Sequence, residues 1–175
     1  MMAQMSESAI DFEGLVAGQR RGLEALARRL VWDVEEARDV VQAAMTQAWA
    51  QRGALKDPAA AAGWLRRIVV TQAMSHLRRR KLWNGFARLL FVEPRAIDSM
   101  DADAERREHQ VELATALDAL SLKQSTAFSL RYLEGLSIDD VAEAMVIDRG
   151  TVRVHLQRAV KALRQKGVLP EKEQS

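Results

Sequence analysis

The stretch from Ser137 to Lys166 constrains this chain more than any other, because it asks for two helices of unequal length only a few residues apart. Ile138, Val141, Ala142 and Met145 fall on one face of a short helix, and Ser137 with Asp140 three residues later has the form of a capping box. Val146 and Ile147 interrupt the pattern, and Asp148 offers a new N-cap. Behind it Val152, Leu156, Ala159 and Leu163 recur as one stripe of a longer helix. Its other faces carry Thr151, Arg153, His155, Gln157, Arg158, Lys161, Arg164 and Lys166. The pattern predicts a helix-turn-helix whose second helix enters the DNA major groove. A plain helical hairpin with a solvated basic face would carry the same apolar stripe. The absence of any acid between Asp148 and the tail favours DNA.

Composition agrees with an all-α chain. Apolar residues make up 48%, enough for a packed core, while aromatics are only 5% and Ala, Leu, Val and Arg abound. The net charge is +2 from 26 basic and 24 acidic residues, so the information lies in where the charges sit. With no cysteine there is no disulfide, thiolate metal site or cysteine chemistry, in keeping with a reducing cytoplasm. No apolar run approaches membrane-spanning length and no signal-peptide pattern opens the chain, so a cytoplasmic protein is expected. His76, His109 and His155 are scattered, without metal-ligand spacing or a nucleophile motif; no enzyme activity, metal, cofactor or small-molecule substrate is expected.

Taken in order, Met1 to Ala9 read as a disordered start. Phe12, Leu15, Val16, Leu23, Leu26 and Leu30 suggest a first helix, broken near Gly14 or Gly18. Asp33 can cap a second, in which Ala37, Val40, Val41, Ala44, Met45, Ala48 and Trp49 form an apolar face ending before Gly53, with Trp49 read as core. Asp57-Pro58 is a start signal for a third helix running to at least Lys81. Leu65, Ile68, Val69, Gln72 and His76 share its core side. Arg67, Thr71, Met74 and Arg78 share another, flanked by Trp64 and Ser75, and Arg78, Arg79, Arg80 and Lys81 close it. Cations suit a helix C-terminus in any case; four in succession exceed that need and point to phosphates. Residues 83–108 read as a flexible, largely acidic linker with an apolar segment at Phe86–Val92. A second block at 109–167 follows, with Val111, Ala114, Leu117 and Leu120 inside, a capping box at Ser121 and Gln124, and Gly167 and Pro170 ending the last helix.

Two DNA-facing helical blocks, 10–82 and 109–167, resemble the group-four, extracytoplasmic-function sigma factors of bacterial RNA polymerase. The resemblance rests on Glu36-Ala-Arg-Asp-Val-Val-Gln42 through Trp49, on Trp64-Leu-Arg-Arg-Ile68 through Lys81, and on Leu130 to Ser137 with Gly150 to Ala159. It implies a sigma region 2-like bundle and a sigma region 4-like helix-turn-helix. Glu36, Asp39, Gln42 and Thr46 would meet core polymerase. Trp64, Arg67, Thr71 and Ser75 would read the −10 element, with Arg78, Arg79, Arg80 and Lys81 on its phosphates. Arg153, Val154, His155, Gln157 and Arg158 would read the −35 element, with Arg149 and Thr151 on phosphates. An anti-sigma factor is the further implied partner, and the free chain would be a monomer. The chain departs from the pattern at Ala43 (usually Glu), Val70 (often Arg or a similar polar residue), Thr71 and Ser75 (often Asn and Asp), Val146 (often Gly), and Val154 and His155 (commonly Ser and Arg). The rival reading is a polymerase-independent helix-turn-helix regulator.

Overall fold

Local signals decide where most of the helices begin. The computed structural model describes residues 11–89 and 104–170, apart from the side chains of 84–89 and 104–107; the predicted start at Met1–Ala9, the Phe86–Val92 side chains and most of the linker lie outside it. Every regular element among the described residues is helical.

Helix α1, Phe12–Val31, is unbroken. Gly14 does not interrupt it. Its amide donates to Asp11 Oδ1 at 2.9 Å, and a Cβ there would lie 2.3 Å from the other carboxylate oxygen, so the glycine makes room for the cap. Trp32 ends α1 in the left-handed region at φ 61°. Helix α2, Val34–Ala50, starts on Asp33, whose carboxylate accepts from the Glu36 amide at 2.8 Å. Two short 3₁₀ turns, Arg52–Ala54 and Pro58–Ala60, lead into α3, Ala61–Leu89. At 29 residues and about 1.5 Å each, α3 is about 43 Å long. It continues past Lys81 into the predicted linker.

The second block comprises α4, Ala104–Asp118; α5, Leu122–Phe128; α6, Ile138–Met145; and α7, Arg149–Gln165. Ser121 and Gln124 form the expected capping box. Helix α5 then widens into a π turn at Ser129–Leu133, closed by the Glu134 amide on the Ser129 carbonyl at 3.0 Å. Gly135, at φ 70°, redirects the chain towards α6. Val111 is 40% exposed rather than internal; Ala114 and Leu117 form the buried side of α4 with Ala116, and Leu120 is buried just past its end.

The blocks are not separate bodies on a tether. One apolar cluster contains Leu26, Val40 and Val69 of the first block together with Leu130, Val141 and Met145 of the second. A smaller cluster around Leu117, Phe128 and Leu163 receives Trp32 from the first block. Helix α3 is therefore sandwiched, with α1 and α2 on one side and α6 on another.

Candidate nucleic-acid interface

The helix-turn-helix is built by its caps. Ser137 Oγ accepts from the Asp140 amide at 3.1 Å and donates to the Asp140 carboxylate at 2.7 Å, and this hydroxyl, helped by the Ser137 amide at 3.3 Å, holds that carboxyl below the usual carboxylate range. Asp148 accepts from the Thr151 amide at 2.8 Å and from the Thr151 hydroxyl, which lowers its pKa in the same way. Between them Val146 takes φ 56°, the left-handed conformation that the turn requires and that a β-branched residue resists. Val152, Leu156, Ala159 and Leu163 are buried, so the stripe read from spacing is the inner face of α7.

That inner face fixes what α7 shows to solvent. Arg153, Val154, Gln157 and Arg158 are exposed. Arg149 is exposed at the N-terminus but spans to Asp139 of α6 at 3.0 Å, and Thr151 is half-buried on Asp148. His155 departs from expectation. Both ring nitrogens are buried without a partner, and its pKa is lowered by burial first, then by the charges of Lys123 and Arg158. It sits at the edge of the reading face and packs inward.

Helix α3 divides its expected readers. Arg67, Thr71, Arg78 and Arg79 are exposed, and the Thr71 hydroxyl donates to the Arg67 carbonyl at 2.8 Å. Trp64 and Ser75 are half-buried; Trp64 meets Phe12 edge to face at 6.2 Å between centroids. The cationic run is split. Arg80 does not project outward: its guanidinium donates to the Val31 carbonyl at 2.9 Å and to Glu36 at 2.7 Å, and approaches Asp118 at 3.7 Å. Lys81 donates to the carbonyls of Asp118 and Leu120 at 2.9 and 2.8 Å. Both are half-buried and already paired within the fold. A run of like residues on a helix cannot all face one way, since successive side chains turn by about 100°.

The outward face of α2 carries Asp39, Gln42 and Thr46, all exposed. Glu36 is not among them, because Arg80 and His76 (3.1 Å) turn it inward. Trp49 continues this stripe at 48% exposure instead of joining the core. Its ring is fixed by the edge of Phe12 at 5.7 Å and by Arg52 stacked at 4.6 Å. Its apolar character alone suggested burial; its i+3 spacing from Thr46 was the available signal for the exposed stripe. Behind α7, an apolar cavity of about 510 Å³ is lined by Leu113, Phe128, Tyr132, Leu133, Val160 and Val168. No group of His, Asp and Glu among the described residues has metal-binding geometry, and no helix there is long and apolar enough to cross a membrane.

A helix-turn-helix packed on a second helical block with its own exposed cations defines a DNA-binding protein of transcription. Residues 15–82 match the family model of sigma-70 region 2, and residues 110–163 that of sigma-70 region 4. RNA polymerase sigma-E factor of Streptomyces coelicolor is 30% identical over 89% of this chain and 85% of its own. The ECF RNA polymerase sigma factor SigM of Mycobacterium tuberculosis is 32% identical over 91% and 78%. In the solved structures, the sigma factor RpoE in complex with the anti-sigma factor NepR, from Bartonella quintana, shares the fold at a TM-score of 0.69, with 24% identity, 92% of this chain and 99% of that one. The chain belongs to the sigma-70 family, among its extracytoplasmic-function members. It is an RNA polymerase sigma factor, and its function is promoter-directed initiation of transcription.

Proposed function

We propose that the labour is divided among three outward faces. The α2 stripe of Asp39, Gln42 and Thr46, extended by Trp49, grips core polymerase. Arg67, Thr71 and Arg78, with Trp64 and Ser75 beside them, follow the opened −10 strand, where stacking and backbone charge dominate. Arg153, Val154, Gln157 and Arg158 read the −35 element in the major groove. The single observation carrying this reading is that the α2 and α7 stripes are exposed and make no side-chain hydrogen bond or ion pair to another α-helix among the described residues, while the residues behind them are packed. Residues 10–82 act as the polymerase and −10 block and 109–167 as the −35 block.

The protein is non-catalytic, works in the cytoplasm as a monomer when free, and uses no cofactor or small-molecule substrate. A protein antagonist of the anti-sigma type fits the same scheme, as the Bartonella relative was solved in complex with one. Pull-down with core polymerase tests the assignment. Asp39→Arg is expected to abolish capture while leaving the circular dichroism spectrum unchanged; full capture by that variant would remove α2 from the polymerase contact.

A further inference from the structure

Two of the four cations that the sequence offers to phosphates, Arg80 and Lys81, are already occupied, and part of what occupies them resembles a phosphate. Asp118 and Leu120 stand at the end of α4, where unsatisfied carbonyls carry the negative pole of the helix dipole. The Asp118 carbonyl and that of Leu120, two residues past the helix, take Lys81 at 2.9 and 2.8 Å, and the Asp118 carboxylate lies 3.7 Å from Arg80. We propose that the α4 C-terminus is a built-in phosphate mimic that clasps the −35 block onto the −10 helix, and that DNA backbone displaces it from Arg80 and Lys81.

The seam runs along α3 from Gly63 to Lys81 and is otherwise apolar or paired. Gly63 faces Glu143 of α6, whose Oε1 would lie 3.6 Å from a Cβ at position 63. Arg66 reaches Asp140 of α6 at 3.9 Å. Val70 and Ala73 continue that stripe and are fully buried. A polar residue, as the family pattern has at 70, would be stranded in such a seam, whereas valine fits it. Trp32 and the Arg29–Glu134 pair close the other margin.

This closed form cannot occupy a promoter. The two elements lie about 25 base pairs apart, or about 85 Å at about 3.4 Å per pair. A helix-turn-helix resting directly on α3 keeps its reading helix within roughly two helix diameters, about 20–25 Å. Initiation therefore requires the seam to part. Phosphate then replaces the two neutral carbonyls on Lys81 and the Asp118 carboxylate beside Arg80, so both cations stay paired in both states and the exchange at Lys81 is favoured by charge.

The chain has no cysteine, which makes a cross-link unambiguous. In Gly63→Cys with Glu143→Cys, a short bis-maleimide should bridge the two positions within one chain. The unbridged variant should initiate with core polymerase as the parent does, and the bridged protein at least ten-fold less. Added duplex DNA, and separately Lys81→Gln in that background, should each lower bridging yield at least two-fold. Equal initiation by bridged and unbridged protein, failure to bridge, or a yield indifferent to both DNA and Lys81→Gln would overturn the clasp. If the parent itself fails to initiate with core polymerase, the sigma-factor reading falls, and bridging yield against DNA still judges the clasp.

Discussion

Val146 shows what a single residue contributes to this fold. It holds φ 56° while 57% exposed, so the backbone cost of a β-branched residue is offset by little burial. Val146→Gly should stabilise the protein by about 1 kcal/mol, seen as a higher urea midpoint at unchanged slope. His155 gives a pH signature. Its folded pKa lies below the ordinary 6.5, so the unfolded chain binds the proton more readily. The stability this residue contributes is complete above about pH 6.5 and is lost as pH falls through the lower folded value. His155→Gln should flatten that part of a urea-midpoint profile taken between pH 7.5 and 5; an unchanged profile would assign the effect to other groups. Arg153 is exposed on the α7 stripe, and Arg153→Ala should cost about 1–3 kcal/mol of discrimination among −35 variants. Equal weakening on every promoter would reduce it to a phosphate contact.

At the scale of the element, α3 separates cations by job. Arg78 and Arg79 face solvent, and replacing both with Ala should lower the salt dependence of promoter binding by about 1.4–1.8 in log–log slope. Arg80→Ala should lower the stability of the free protein by roughly 1–2 kcal/mol in urea melts, because it leaves the half-buried Glu36 with fewer partners. Helix starts were legible from sequence because capping is local: Asp33, Ser121, Ser137 and Asp148 each satisfy amides two or three residues away. The inner stripe of α7 was legible for the same reason. Roles fixed by distant partners were not. Nothing near Arg80 in sequence announces the Val31 carbonyl, and nothing near Trp49 announces that Phe12 and Arg52 will steady it at the surface.

For the whole molecule, the shared core sets the dimensions of the free protein. Packed as one body, the described residues 11–89 and 104–170 have a radius of gyration of about 15 Å, and small-angle scattering of the free chain should stay below about 20 Å. A value above about 20 Å would mean that the blocks part spontaneously. Block order was readable along the chain, whereas their docking depends on Val70, Trp32 and Lys81 meeting residues far away in sequence.

The widened turn at Ser129–Leu133 carries one more consequence. Each helical residue advances the azimuth by about 100°, so deleting one there would restore ordinary winding and swing everything downstream round the axis by that amount. Glu134 would leave Arg29, and Arg131 would lose the Leu136 carbonyl it now reaches at 2.6 Å. The bearing of the −35 reader relative to the rest of the protein is thus set by a count of residues, and a silent-looking deletion at this point would misaim it without touching a single DNA contact.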